Sequence, residues 1–314
     1  MPNALHVIFG SGPVGCWTAR ALRELSIPVK AVNRSGKRPD LMPADVEMIA
    51  ADASNAEQAI TAAQGAAVVY QALNPPYHQW NQFFPGLQAG VLRAARKAGA
   101  RYVSIDNLYM YDSSKPITEE SNIAPRSKKG ELRARMAEEV MSAHKRGDVL
   151  ATVLRSSDYY GPGVVLSALG ERVLGNLMKG KKAQIAGSVV LPHSFAYIED
   201  VGRAAAVLGT HDEAPSKIWI TPHAPAVTQG EMIEKACRVL GIKPQIAVAS
   251  PLMMRIAGLF SPGAREMVEM MYEFTEPFVV DSSHMQRDFG LAPTSIDVGI
   301  ERTVQWYREL AGKR

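Results

Sequence analysis

An α/β fold, with a doubly wound parallel sheet covered by helices on both faces, is what this 314-residue sequence predicts. Three observations predict it. Short apolar runs alternate with helical stretches through the first half of the chain. A glycine turn, Gly10-Ser11-Gly12-Pro13-Val14-Gly15, follows the first of those runs and opens the first helix. After Gly163 the alternation breaks into helices and short strands, which predicts a smaller second lobe.

The first unit runs from a strand at residues 5–9 through the glycine turn and a helix to a second strand at 29–32, which ends on Asn33-Arg34. Its turn has the spacing GxGxxG between two strands, the fingerprint of a dinucleotide site. Gly10 permits the tight turn, Gly12 lets the backbone approach a pyrophosphate, and Gly15 lets helix pack on strand. Pro13 gives up an N–H that the helix would not use, and the free N–H groups beside it, Val14 among them, face the anion. An NAD site normally places an acid after the second strand to hold the ribose hydroxyls. Here Asn33 and Arg34 stand in that place, Lys37 and Arg38 follow, and no acid occurs before Asp40. A guanidinium matches a 2′-phosphate in charge and geometry, so NADP (NADPH) is expected and NAD less so. The plainer reading is a solvated basic loop.

Alternation then continues. Strands are expected at 46–50, 66–71, 101–105 and 149–155, and helices at 56–63, 84–98 and 127–146. Each parallel crossover needs a covering helix, so the arrangement is Rossmann-like. Sites in such sheets lie beyond the carboxyl ends of the strands. That directs attention to Asp52-Ala53, Ala72-Leu73-Asn74, residues 105–111 and residues 155–163. Further on, helices are expected at 164–178, 200–209, 229–240, 252–259, 263–272 and 297–310, a hairpin at 183–190, and strands at 194–198 and 217–221. The division expected is a cofactor domain over 1–162 and a substrate lobe over 163–314, with about 194–224 returning to the sheet. Met253, Met254, Met267, Met270 and Met271 read as adaptable core.

Composition excludes some classes. A hydrophobic content of 46% with 21% charged residues is that of an ordinary globular protein, and the net charge of +4 comes from dispersed lysines and arginines. Nucleic acid is therefore a poor partner, while a phosphorylated cofactor or anionic substrate suits the bias. Cys16 and Cys237 fall on apolar helical faces without metal-type partners, which fits a reduced, cytoplasmic protein. No export signal and no membrane span are expected. No His/Cys/Asp/Glu cluster has metal-ligand spacing, no GxSxG elbow occurs, and a homodimer is compatible with the sequence.

Several motifs together resemble the extended branch of the short-chain dehydrogenase/reductase superfamily, the NAD-dependent epimerase/dehydratases. They are residues 10–15, Asp52-Ala53, Arg155 through Tyr160-Gly161-Pro162-Gly163, and residues 195–201 (Phe-Ala-Tyr-Ile-Glu-Asp-Val) before a helix. The resemblance implies a nicotinamide cofactor, Asp52 near the adenine, Arg155 and the Tyr160 turn facing the cofactor–substrate cleft, and a C-terminal substrate lobe. Asp200 reads more simply as a helix N-cap. The chain departs from the family in its glycine turn, where Phe9 takes the first glycine's place. It departs again in the catalytic set. Where the family has Tyr-x-x-x-Lys, anchoring on residues 125–127 places Lys129 and Arg133, with Gly130 where the family often has glycine. The serine slot falls on Ile105 or, with a shifted anchor, on Asn107.

Three readings follow. Lys129 could replace the tyrosine as proton carrier, its pKa lowered by a cationic nicotinamide and by Arg133 one turn away; the related isoflavone reductases also use a lysine. A tyrosine could have moved instead: Tyr109, Tyr111, or Tyr159 beside Asp158. Or the chain holds NADP without catalysis, as a sensor or interaction module. The function expected is an NADP-dependent oxidoreductase or epimerase/dehydratase acting on a carbonyl or hydroxyl of a small organic or sugar-type substrate. Lys129 and Arg133 carry like charges on one helix side, which calls for a ligand anion or nearby carboxylates unless Arg126, Lys128, Lys129, Arg133 and Arg135 are simply a solvated face. For the substrate, Tyr77, His78 and Trp80 after the fourth strand form an aromatic cluster, and His193 precedes a strand of the second lobe.

Overall fold

The computed structural model describes residues 4–312. Seven strands form one parallel sheet: β1 (Leu5–Phe9), β2 (Val29–Asn33), β3 (Glu47–Ala50), β4 (Ala66–Gln71), β5 (Arg101–Asn107), β6 (Ala151–Ser156) and, after intervening short strands, β11 (Ile218–Ile220). Their order is β11-β6-β5-β4-β1-β2-β3, so the chain reverses direction between β1 and β4, where ligands bind in open α/β sheets. The crossovers are α1 (Pro13–Glu24), α2 (Ala56–Ala62), α3 (Trp80–Ala98) and α4 (Lys128–Lys145). Apolar side chains fill both faces. One core layer joins Ile8, Leu22, Val103 and Leu154 to the later helix 198–210, and the other joins Phe9, Val69, Val91 and Val153. The doubly wound fold expected from the alternation is the one observed.

The rest of the chain adds short strands and helices. β7 (Asp158–Tyr160) pairs in parallel with β10 (Phe195–Tyr197), β8 (Ala183–Ala186) with β13 (Ile246–Ala249), and β9 (Pro192–His193) runs antiparallel to β12 (Val227–Thr228). The helices are α5 (Asn176–Met178), α6 (Ile198–Thr210), α7 (Gln229–Leu240), α8 (Pro251–Phe260), α9 (Pro262–Val268), α10 (Tyr272–Thr275), α11 (Ser283–Phe289) and α12 (Ile296–Gly312). A capping box at Thr228 and Glu231 starts α7, and Gly241 in the left-handed region ends it.

Four expectations are corrected. Residues 183–190 form no hairpin: β8 pairs with β13, and Gly187, with φ of 78°, packs against the Phe274 carbonyl instead of reversing the chain. The helix expected over 164–178 is reduced to a π-helical turn at Gly170–Gly175 running into α5, because the loop through Gly163 packs against the glycine-turn region. α3 begins at Trp80, four residues early, because that indole is buried and its Nε1 donates to the Pro75 carbonyl at 2.8 Å. Asp200 is not an N-cap. It lies inside the first turn of α6 and accepts from the Thr294 N–H and hydroxyl, each at 2.7 Å, tying α6 to the approach to α12.

Candidate active site

The crevice beyond the strands has two ends. At the first, Gly10 (φ 111°) lies so close to β4 that an added Cβ would stand 2.5 Å from the Ala72 carbonyl oxygen, and a Cβ on Gly15 would stand 1.9 Å from that of Gly10. Both positions therefore need glycine for packing. Gly12 is different: a Cβ there meets nothing within 4 Å, so its backbone faces open space. It is also the N-cap of α1 with no side-chain cap, which leaves the N–H groups of Val14 and Gly15 directed at that space. An anion of pyrophosphate size fits this cradle. Pro13 begins α1 beside it, Ala72 and Leu73 lie against Gly10, and the Trp17 Nε1–H donates to the Pro162 carbonyl at 2.9 Å, holding the 161–163 turn over the start of α1. Cys16 is buried under the turn, its thiol pushed up to about 11 by burial.

Beside the cradle, Asn33 is used internally. Its amide donates to Ser11 Oγ at 2.7 Å and the Lys37 carbonyl at 2.8 Å, and its oxygen accepts from the Ser35 N–H. Arg34 is exposed. The Asp52 carboxyl accepts from the Ser54 hydroxyl and N–H, which hold it below the usual carboxylate range, with the Arg34 charge adding to the effect. Ala53 is buried, and its carbonyl packs against Gly90 of α3.

The other end is built from buried charge. Arg133 donates to Asp106 Oδ1 (Nε, 2.6 Å) and to the Ile105 carbonyl (Nη2, 3.0 Å), and Arg155 Nε approaches Asp106 Oδ2 at 3.3 Å. All three side chains are at most 3% exposed. The Arg155 guanidinium lies over the Tyr111 ring, and its Nη1 is buried with no partner. One turn before Arg133, the Lys129 ammonium is 4% exposed, lies 5.3 Å from the centre of the Tyr77 ring, and pairs with Glu266 of α9 and Glu269 just after it. The carboxylates that two neighbouring cations require are thus Asp106 for one and Glu266 with Glu269 for the other. The solvated-face reading fails for Lys129 and Arg133, which are interior.

The sequence profile of the NAD dependent epimerase/dehydratase family matches residues 7–220. The chain belongs to that family. Among solved structures, it is similar to dTDP-glucose 4,6-dehydratase from Bacillus anthracis str. Ames in complex with NAD (15% identity, 98% of this chain and 97% of that one, TM-score 0.77). It is also similar to UDP-glucuronic acid 4-epimerase from Bacillus cereus in complex with NAD (16%, 98% and 99%, TM-score 0.78). A third is dTDP-glucose 4,6-dehydratase from Streptomyces venezuelae with NAD and TYD bound (18%, 98% and 98%, TM-score 0.76). At these identities the likeness is one of fold. No curated protein matches in sequence.

Gly130 packs on the Tyr109 carbonyl, where a Cβ would come within 2.3 Å, and this fixes the first turn of α4 against the end of β5. The family's serine slot falls on Ile105 or Asn107. Ile105 is buried and supplies a backbone acceptor to Arg133, and Asn107 accepts from the Tyr109 N–H at 3.2 Å. Asp106, between them, holds both arginines. Tyr109 and Tyr77 share a hydrogen bond of 2.5 Å between hydroxyls, and burial raises both well above the usual tyrosine value. Tyr111 is raised too, mainly by burial, with Arg155 opposing; Tyr159 is pushed up to about 12 by burial. Tyr160 does not face the cleft: it packs against Gly299 of α12.

Arg155 is likewise no open cleft residue but an anchor for Asp106. His193 Nε2 meets Asp158 Oδ2 at 2.9 Å and its Nδ1 meets the Glu273 carbonyl at 3.1 Å, with Phe274 and Phe278 stacked on the ring. Trp80 is core among Phe84, Tyr109, Leu132, Met136 and Met270, whereas His78 is exposed. Glu266, Glu269 and Glu273 carried no sequence signal beyond their charge, because what they touch lies far along the chain. Glu119, Glu120 and His284 also come within ligand distance of one another, a grouping with no local spacing to reveal it; Glu119 and His284 already pair at 3.2 Å.

Proposed function

We propose that this chain is a nicotinamide-dinucleotide-dependent enzyme that moves hydride to or from a carbonyl or hydroxyl carbon of a small sugar-type substrate. The observation that carries the reading is the open cradle at Gly12, set at the reversal point of the sheet in a chain of this family. Gly10, Gly12, Val14 and Gly15 would hold the pyrophosphate, Asp52 and Ala53 the adenine end, and Ala72 to Asn74 the edge nearest the nicotinamide. When bound, the cofactor supplies the hydride acceptor or donor. The substrate would be met mostly by the part of the chain beyond Gly163, with Tyr77, Asp158 and Tyr159 near its entrance and His193 behind Asp158, holding that carboxylate. The solved relatives hold NAD, which favours that cofactor. The NADP preference read from Arg34 rests on Arg34 and on the lack of an acid at residue 33 alone.

For the proton step, Lys129 is the group proposed, on its position in the family's tyrosine slot. A second reading has one specific observation in its favour: the hydroxyl pair Tyr77–Tyr109 lies beside that ammonium. Hydride transfer followed by cofactor absorbance over a panel of sugar nucleotides and small carbonyls tests the reaction. A general acid or base contributes about 10² to 10⁴-fold, so Lys129→Ala should lower turnover by that factor while dinucleotide affinity changes only a few-fold. If Tyr109→Phe takes the loss instead, the tyrosine carries the proton. Tight dinucleotide binding with no turnover on any substrate would leave a non-catalytic binding module.

A further inference from the structure

We propose that the outer face of α8 is a docking surface for an anionic lipid bilayer, on which the helix lies flat.

α8 turns its apolar side outward. Of its ten residues, Met254 and Gly258, one turn apart, are the buried ones and define the side that packs on the protein. The opposite side carries Leu252, Met253, Ile256, Leu259 and Phe260, which are 52% to 85% exposed. At helical spacing these five form one continuous stripe, with Arg255 on its flank. Met253, expected in the core, is one of them. The orientation is fixed at the start of the helix and near its end. Ser250 Oγ accepts from the Met253 N–H at 3.3 Å. A Cβ on Gly258 would come within 3.1 Å of the Arg265 Cα, and the Arg265 Nε donates to the Gly258 carbonyl at 3.1 Å. A contiguous apolar patch of this kind on a folded protein marks an interaction site.

The charge around the stripe selects what covers it. Residues 242–265 hold Lys243, Arg255 and Arg265 and no aspartate or glutamate, and all three cations are exposed. The acids that follow, Glu266 and Glu269, turn the other way, onto the Lys129 ammonium and the Lys128 N–H. The outward side of this helix pair is therefore apolar and basic, the pattern of a helix that lies at the headgroup boundary of a bilayer with negative lipids. Among the described residues no helix is long and apolar enough to cross a membrane, so α8 would rest on the surface and not span it.

A second copy of the chain fits this face less well. In an antiparallel pair of α8 helices the two Arg255 side chains, each at mid-helix, would stand on the same side of the contact and repel. Five part-exposed side chains also fall short of the roughly 800 Å² that each partner of a stable dimer covers. A bilayer needs less. One apolar signal binds reversibly, with a constant on the order of 10⁴ M⁻¹ for a single acyl chain, and neighbouring basic residues supply the second signal.

Co-sedimentation of the full chain with vesicles tests this, using phosphatidylcholine alone and an equimolar mixture of phosphatidylcholine with phosphatidylglycerol. The unmodified protein should bind the mixed vesicles roughly fivefold or more tightly than the neutral ones, with the difference lost as salt is raised. Leu259→Gln/Phe260→Gln should weaken binding to the mixed vesicles by roughly tenfold or more. Arg255→Gln should weaken it about fivefold, the effect of one basic residue near such a surface, and leave neutral vesicles unaffected. Urea midpoints of these variants should match that of the unmodified protein, because the replaced side chains face solvent. Should the double variant not fold, Phe260→Gln alone, at the most exposed of the five, should show a smaller loss in the same direction. Sedimentation velocity reads the other occupant: a dimer present without lipid and lost in Leu259→Gln/Phe260→Gln would assign the face to a second copy and overturn the proposal. Failure to bind either vesicle, equal binding to both, or binding that survives the double variant would overturn it as well. None of these readings depends on turnover, so the proposed reaction stands or falls separately.

Discussion

The two ends of the crevice are made of opposite materials. At the glycine turn nothing is charged: the cradle consists of backbone N–H groups, and its shape is set by two glycines that touch backbone and one that touches nothing. At the start of α4, Lys129, Arg133, Arg155 and Asp106 are all interior, and each cation is answered by a carboxylate from another element. A cradle of backbone can receive its ligand without rearranging. A wall of buried, paired charge cannot, since any ligand must replace a partner that is already present. The first end is therefore open as it stands, and the second is closed by its own ion pairs.

The largest effect should come from breaking the charged end. Asp106→Ala leaves two buried guanidinium groups with no counter-charge, and losses of about 3 to 5 kcal/mol are usual when one partner of such a network is removed. Urea unfolding should show the midpoint fall sharply, with Asp106→Asn intermediate because it keeps the shape and one acceptor. An unchanged midpoint in Asp106→Ala would mean that the network does not hold the end of β5 to α4.

This contrast also marks what the sequence could tell. The glycine end was legible residue by residue, because Gly10, Gly12 and Gly15 lie within six positions and their spacing is itself the geometry. Strand β4 and helix α7 were legible to the residue, since apolar run and capping chemistry are local. The hairpin expected at 183–190 is absent because β8 pairs with the distant β13, and the freedom of Gly187 serves a close approach to Phe274. At the charged end the need for carboxylates near Lys129 and Arg133 was readable from two like charges one turn apart. Their identity was not, because Glu266 and Glu269 lie 137 and 140 residues further along the chain than Lys129 and Asp106 meets Arg155 only through strand pairing. Local pattern specifies backbone shape, while long-range charge pairing depends on the finished fold.

The glycine end predicts a split between stability and binding. Gly15→Ala forces a Cβ against the Gly10 carbonyl and should cost up to about 3 kcal/mol of stability. Gly12→Ala meets open space, so the fold should be unchanged within about 0.5 kcal/mol, while dinucleotide affinity falls because the added methyl occupies the cradle. Thermal unfolding and fluorescence titration of the two variants separate these outcomes. Equal destabilisation in both would refute the idea that Gly12 faces ligand space.

At the rim of the same cradle, Arg34 should matter only to a cofactor with a 2′-phosphate. A charge-assisted contact of that kind is worth about 1.5 kcal/mol or more, so Arg34→Ala should weaken NADPH by a little over tenfold and barely touch NADH. If the unmodified protein binds NADH as tightly as NADPH, the basic loop is only surface and NAD is the working cofactor, as in the solved relatives.

The smallest effect expected is a change in how stability varies with pH, and it belongs to α10. Glu273 is 2% exposed, its Oε1 lacks a partner, and burial, with the nearby Asp158 charge adding to it, raises its carboxyl well above the usual range. An acid raised in the folded state binds its proton more tightly there than when unfolded. Folding is thus least opposed at pH below the unfolded value of about 4.3, where the group is neutral in both states. As pH rises through that value the unfolded chain ionises first, and stability is progressively lost until the folded pKa is passed. Glu273→Gln removes the titration and keeps a side chain of similar volume. Compared with the unmodified protein it should be more stable at pH 7, with the difference shrinking towards pH 4, as read from urea midpoints at intervals between. A difference that does not vary with pH would show that Glu273 is not a buried acid in solution.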